Sequence, residues 1–294
     1  MLLRVLVLAM LGVVFSADAQ AVGSSTGWVV RSQPVQLVNG SPVLFSVKFS
    51  HPLASLTGSW LGNQLVFELN LKDKTWYSLG GVALKTRPGI YTLKLSATSK
   101  LGTETAFEKR ISVRAGKYRK IAIKVAKQFT EPSAEQVRKI GEDKTKKQEA
   151  FGKTDPDREW SGNFAAPVEA PISDTFGTQR VINGHVQSTH QGLDYAAGIG
   201  APVAAVNAGT VLLAGPLFFE GNCVVIDHGQ GLQTIYMHLS EFAVKPGDRV
   251  GRGQNLGLVG GTGRATGPHL HLAVRWRGEY LDPATLLKLR LPRT

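Results

Sequence analysis

Apolar and polar residues alternate with period two through VLFSVKFS (43–50), QLVFELNL (64–71), GIYTLKLSAT (89–98) and KRISVRAG (109–116). Successive side chains of a strand point to opposite faces, so each run predicts a half-buried β-strand. Turn signals separate them: Asn39-Gly40-Ser41-Pro42, Gly62-Asn63, Gly80-Gly81 and Arg87-Pro88-Gly89. Short strands at this spacing predict an antiparallel sandwich over residues 27–127. The period then changes. SAEQVRKIGEDKTKKQEAF, Ser133 to Phe151, is dense in charge and poor in β-branched residues, and Ser133 with Gln136 fits a capping box. This predicts a charged helical linker within residues 128–160.

From about Phe164 the pattern is β again, now rich in glycine: NAGTV, DHGQGL and KPGDRVGRGQNLGLVGGTG punctuate GNCVVIDHG, LQTIYMHL and HLHLAVRW. Residues 161–294 therefore read as a compact antiparallel β barrel or sandwich with glycine corners. A short helix near Pro283 to Leu289 is the one helix expected there. The expected class is mainly β, in two units joined by a helix, the first unit being a sandwich loosely similar to bacterial immunoglobulin-like domains.

The N-terminus fits neither unit. Arg4, an apolar run from Val5 to Phe15 and Ala17-Asp18-Ala19 form the three regions of a secretory signal peptide, residues 1–19. The run is short for a membrane span. Export to the periplasm is expected, with secretion beyond it also allowed. A single cysteine, Cys223, excludes an intrachain disulfide and a Cys-rich zinc site. In CVVI it reads as a buried structural thiol.

Charge is uneven. The chain carries +12; residues 1–160 hold 24 basic and 13 acidic residues, residues 161–294 hold 10 and 9. Lys109 to Lys127 contains eight basic residues and no acidic one. The first half could serve an accessory role by attracting anionic envelope polymers or lipid head groups. Export makes nucleic acid a poor partner.

The histidines carry the chemistry. His269 and His271 stand one residue apart in an apolar run, so a strand would aim both at one space. Such a pair fits a solvated sheet face or a metal site. STHQGLDYAA adds His190 and Asp194, spaced His-x3-Asp, and TIYMHLS adds His238. Catalytic zinc is held by three such ligands with one position open. Spacing does not say which histidines are ligands or whether the segments meet.

GLDYAAGIGAPVAAVNAGTV, GNCVVIDHG, YMHL, PGDRVGRGQNLGLVGGTGRATGPHLHLAV and a late LDP, in this order, resemble the lysostaphin-type, or LytM-like, zinc endopeptidases of peptidoglycan, over residues 165–286. The resemblance implies one Zn2+ per chain on His190, Asp194 and His271. It implies that His238 and His269 flank the attacking water and the scissile carbonyl as catalytic residues. It implies a peptidoglycan hydrolase, a metalloprotease cutting peptide bonds in stems or crosslinks. All five positions are intact, although some relatives lose ligands and act only as amidase activators. A non-enzymatic envelope binding protein or amidase activator is the alternative. A biotinyl- or lipoyl-type carrier is disfavoured, because no lysine lies between Lys245 and Lys288. Arg180 and Tyr195 are candidates to line the substrate groove, and His228 is expected to support a turn. The two-unit layout also allows the first unit and the helix to lie over the zinc groove and restrain it.

Overall fold

The structure is a computed structural model that describes residues 27–122, 127–129, 131–182 and 185–293. The leader expected at 1–19 lies outside the described residues. The first unit comprises β1 (Trp28–Gln33), β2 (Leu37–Val38), β3 (Pro42–Phe49), β4 (Leu53–Trp60), β5 (Asn63–Val66), β6 (Glu68–Asn70), β7 (Thr75–Gly81), β8 (Gly89–Ser99) and β9 (Glu104–Arg114). They form two sheets, β1-β3-β7-β6 and β2-β9-β8-β4-β5. The alternation sends Phe45, Val47 and Leu93 into the core between them, with Trp60 buried alongside. The Trp60 indole N–H donates to the Gly81 carbonyl at 3.1 Å, so the buried polar edge of the ring is satisfied. QLVFELNL forms two strands rather than one. It breaks at the buried Phe67, and β5 pairs with β4 while β6 crosses to pair with β7.

After β9 the chain runs to β10 (Lys120–Ala122), then to α1 (Ala134–Gly152). The capping box is formed: Ser133 Oγ accepts from the Gln136 N–H, and Gln136 Oε1 accepts from the Ser133 N–H. The helix is docked rather than free-standing. Asp143 is buried on it, pairs with Lys139 and accepts from the Phe218 N–H at 2.7 Å. Lys147 pairs with Glu220. Beyond the helix, Asp227 accepts from the Asp155 N–H at 2.7 Å and from the Thr154 hydroxyl at 3.2 Å, which clamps the chain to the second unit.

That unit contains β11 (Ile172–Asp174), β12 (Gln179–Ile182), β13 (His185–Thr189), β14 (Leu193–Tyr195), β15 (Pro202–Ala204), β16 (Gly209–Leu217), β17 (Gly221–Asp227), β18 (Leu232–Phe242), β19 (Arg249–Val250), β20 (Asn255–Val259), β21 (Leu270–Trp276), β22 (Glu279–Leu281) and the short α2 (Pro283–Leu286). The main sheet runs β11-β14-β21-β18-β17-β16-β19 and is antiparallel throughout, as the glycine-cornered pattern predicts. A second small sheet has the order β10-β12-β13, so β10 adds a parallel edge strand from the inter-unit segment to a hairpin of the second unit. Among the described residues of the inter-unit segment, Ile121 on this strand lines the groove described below, and α1 packs beside β16.

One apolar cluster runs from Val30 in β1 to Leu291 near the C-terminus. At the junction, a Cβ on Gly81 would lie 2.7 Å from Leu281 Cδ1 and 3.1 Å from Trp276. The Asp282 N–H donates to the Gly40 carbonyl at 2.8 Å across the same seam.

Candidate metal centre

Register builds the centre. Asp174 on β11 stands opposite Asp194 on β14, which stands opposite His271 on β21. Directly opposed residues share a face with Cβ atoms about 5 Å apart, so the sheet itself sets the Asp194 and His271 side chains together. His190 joins them from the turn before β14. Its main chain is fixed by His190 N–H to Thr178 O and Gly177 N–H to His190 O, both 2.8 Å. Gly192 permits the approach of that turn to β21: a Cβ there would lie 2.4 Å from His271 Nε2 and 2.5 Å from the Leu272 carbonyl oxygen.

His190 Nδ1 lies 2.9 Å from the Thr175 carbonyl and 3.2 Å from Asp174 Oδ2. Its N–H is therefore on Nδ1, and the Nε2 lone pair faces inward. Nε2 is 3.0 Å from Asp194 Oδ1 and 3.0 Å from His271 Nδ1, and these last two atoms are 2.7 Å apart. Two imidazole lone pairs and an anionic oxygen thus converge on one buried point. This is a donor set that a divalent cation satisfies, and zinc takes such N and O ligands. The His190–Asp174 contact is the usual outer support of a metal-bound histidine. Among the described residues this is the one cluster of His, Cys, Asp and Glu with such geometry. Burial would raise the Asp194 carboxyl, but the bonds from His190 and His271 outweigh it and hold it well below the usual carboxylate range. Burial pushes His271 down, against the pull of Asp194. Both directions favour the forms that bind a metal, carboxylate and neutral imidazole.

His238 and His269 face the same space from the groove side. Their rings are 4.7 Å apart, and His238 is 6.1 Å from the His271 ring. His238 Nδ1 donates to the Thr262 carbonyl at 2.8 Å and His269 Nδ1 to the Gly267 carbonyl at 2.9 Å. Among the described residues neither Nε2 has a hydrogen-bond partner; that of His269 lies 3.9 Å from Asp194 Oδ1. Burial, with the neighbouring His271 and His269, lowers His238 to about 3. His238 has φ +67°, a left-handed conformation rare outside glycine. β18 and β17 also lose register beside it. This kink re-aims the ring, as irregularities near functional sites do, and no period-two pattern announces it. His269 precedes β21 and joins the sheet through a single bridge to Gly260.

A cavity of about 340 Å³ opens onto these groups, with Arg180, Arg264 and Ile121 among its walls. Arg180 bonds Asp174 Oδ2 at 3.1 Å and Asp194 Oδ2 at 3.2 Å, so it lines the groove and braces a candidate ligand. Tyr195 does not line it: the ring is buried in the core, facing away from the groove-lining Ala196. Alternation along β14 places it on the face opposite Asp194. Asp174, Arg119 and Arg264 carried no signal in the sequence, since nothing local distinguishes them from turn or surface charges. Arg119, from the segment before β10, bonds Asp174 Oδ1 at 2.8 Å. His228 is fully buried elsewhere, between the Ala208 carbonyl at 2.6 Å and the Thr234 hydroxyl at 2.8 Å. Cys223 is buried, and burial pushes its thiol up, so it is inert.

Residues 188–283 match the family model described as Peptidase family M23. The peptidoglycan DD-endopeptidase ShyA of Vibrio cholerae is 40% identical over 147 residues, 49% of this chain and 31% of ShyA. The DD-carboxypeptidase/endopeptidase Mpg of Neisseria meningitidis is 40% identical over 124 residues, 42% of this chain and 29% of Mpg. The chain spans about a third of the length of these curated relatives. A crystal structure from Pseudomonas aeruginosa, named for peptidase M23, superposes with a TM-score of 0.64 at 29% identity and covers 86% of this chain and 95% of that one. That match extends over both β units, whereas the family model covers only the second. The second unit thus carries a peptidase family M23 domain.

Proposed function

We propose that the protein is an exported zinc-dependent endopeptidase that hydrolyses peptide bonds in peptidoglycan stem peptides or crosslinks. The observation that carries this reading is the convergence of His190 Nε2, Asp194 Oδ1 and His271 Nδ1 within 3.0 Å of one another, with two further imidazoles on the open side. The substrate class is supported by relatives named as peptidoglycan DD-endopeptidases. Export is supported by the leader pattern at residues 1–19.

His190, Asp194 and His271 would hold the ion, and zinc bound there supplies the Lewis acidity that activates water and polarises a carbonyl. The remaining chemistry belongs to the chain. Asp174 keeps the His190 N–H on Nδ1, and Arg180 holds Asp194 Oδ2 away from the centre so that Oδ1 points in. His238 and His269 each spend their Nδ1–H on a main-chain carbonyl and present Nε2 to the substrate. Between them they accept the proton of the attacking water, return it to the departing amine and stabilise the charge that builds on the carbonyl oxygen.

The test pairs metal content with digestion. The purified protein is expected to carry about one zinc per chain and to release new amino groups from peptidoglycan, with chelation abolishing release and zinc restoring it. His271→Ala is expected to lose both zinc and activity. His238→Ala is expected to keep zinc and lose activity by roughly 100-fold or more. Zinc-loaded protein that releases no amino groups from a broad panel of peptidoglycans would overturn the hydrolase reading.

A further inference from the structure

Both carboxylates of the groove are already engaged by arginines. Asp174 is shared by Arg119 and Arg180, and Arg180 also takes Asp194. Arg264, on the loop between β20 and β21, brings a second guanidinium, after that of Arg180, to the same cavity as His238 and His269. Among the described residues it has no hydrogen-bond or ion-pair acceptor for its side chain. The nearby carboxylate, Glu220, is already taken by Lys147. Arg180 faces the same cavity, and its buried Nε also finds no acceptor among the described residues.

Arg264 is nevertheless held in place. Its N–H donates to the Phe219 carbonyl at 2.8 Å, and its guanidinium lies 4.8 Å from the centroid of the Phe219 ring. Phe219 is itself wedged edge-on against Phe218 at 5.0 Å, and both rings pack against Phe129. Partial burial, then the charge of Arg180, push the Arg264 pKa down, with Glu220 opposing. Two like charges brought to one small cavity, one of them stacked and unpaired, cost free energy until an anion arrives. A guanidinium fork matches a carboxylate bidentately. On a peptide the available anion is a terminal or side-chain carboxylate. A cavity of about 340 Å³ is small, so that carboxylate belongs to a residue flanking the bond to be cut.

We propose that Arg264, which lines one cavity with Arg180, is a carboxylate-reading subsite, so that the protein selects peptides with a free carboxylate on a residue flanking the scissile bond over their amidated forms. The proposal rests on the hydrolase reading above and adds the substrate feature that the site selects.

The probe is a pair of crosslinked stem-peptide dimers, identical except that the carboxylates near the crosslink are free in one and amidated in the other. Zinc-loaded wild type is expected to favour the free form by about tenfold or more in kcat/KM, the scale of a charged hydrogen bond. Arg264→Met keeps an apolar contact with Phe219 and removes the charge. It is expected to bring the ratio close to one while zinc content stays at the wild-type level; Arg264→Lys is expected to retain part of the preference. Calorimetric binding of both dimers to zinc-loaded His238→Ala protein, with and without Arg264→Met, gives the same comparison without turnover. Equal kcat/KM for the two dimers in wild type, or a preference that survives in Arg264→Met, overturns the subsite while leaving the hydrolase reading intact. If neither dimer is cleaved, the hydrolase reading fails, and the binding ratio alone decides the subsite.

Discussion

Gly192 decides whether the turn carrying His190 can close on β21. Its missing Cβ would fall 2.5 Å from a main-chain oxygen and 2.4 Å from the ring of His271, neither of which has room to move. Gly192→Ala is therefore expected to separate His190 from His271 and weaken zinc binding by about 10–100-fold, the cost of disturbing a supporting contact, as read by chelator competition. His228 makes a second prediction at this scale. Burial lowers its pKa to about 4, against an unfolded value near 6.5, while its bond to Ala208 opposes. The folded state then binds fewer protons than the unfolded state between these values. The contribution of His228 to stability is present above about pH 6.5 and is lost as the pH falls through about 4, by up to about 3 kcal/mol. Urea unfolding at pH 7 and pH 5 should show this loss in the wild type and a flatter dependence in His228→Asn. Strand alternation at His269 and His271, with motif spacing and the family resemblance at His190 and His238, singled out the histidines of the site, yet Asp174 was missed, because a carboxylate that supports a ligand is marked by its neighbours in space and not by its neighbours in sequence.

Among the elements, β18 and α1 depart most from what local pattern suggests. β18 pairs with β17 and β21 through its first half and with β20 through its second, and the kink at His238 lies between. Left-handed backbone at a non-glycine residue is tolerated only when the surroundings impose it; here the His238 N–H donates to the Glu220 carbonyl at 2.9 Å and its ring to Thr262. The helix has the composition of a solvated linker, and its cap and extent were legible from Ser133, Gln136 and the charge pattern. Its docking was not, because its anchors reach partners distant in sequence: Asp143 meets a main-chain N–H 75 residues away, and Lys147 pairs with Glu220. Asp143→Ala leaves the Phe218 N–H without an acceptor and is expected to cost about 1–3 kcal/mol in urea unfolding, with faster proteolysis of the helix.

Across the whole molecule, the two β units share one apolar cluster, and the inter-unit segment supplies β10, Ile121 and Arg119 to the second unit. Two independently folding domains would unfold separately. A continuous core, with a strand of the inter-unit segment added to the second unit, predicts a single calorimetric transition, in which near-UV signals from the first-unit Trp60 and the second-unit Trp276 change together. Two resolved transitions would contradict it. Sequence by itself determined the mainly β class, the change of pattern between the halves, the capped helix and the five residues that could serve a metal site. These features are local: side-chain period, turn chemistry, capping and motif spacing act over a few residues and leave their mark in order along the chain. Only the tertiary structure decided that Asp174, Asp194 and His271 stand opposite one another, that Tyr195 turns into the core, that Arg264 and Arg180 line one cavity, and that the units meet through Gly81 and Leu281. Those outcomes depend on strand register and on contacts between residues far apart in sequence, which no single stretch of the chain encodes.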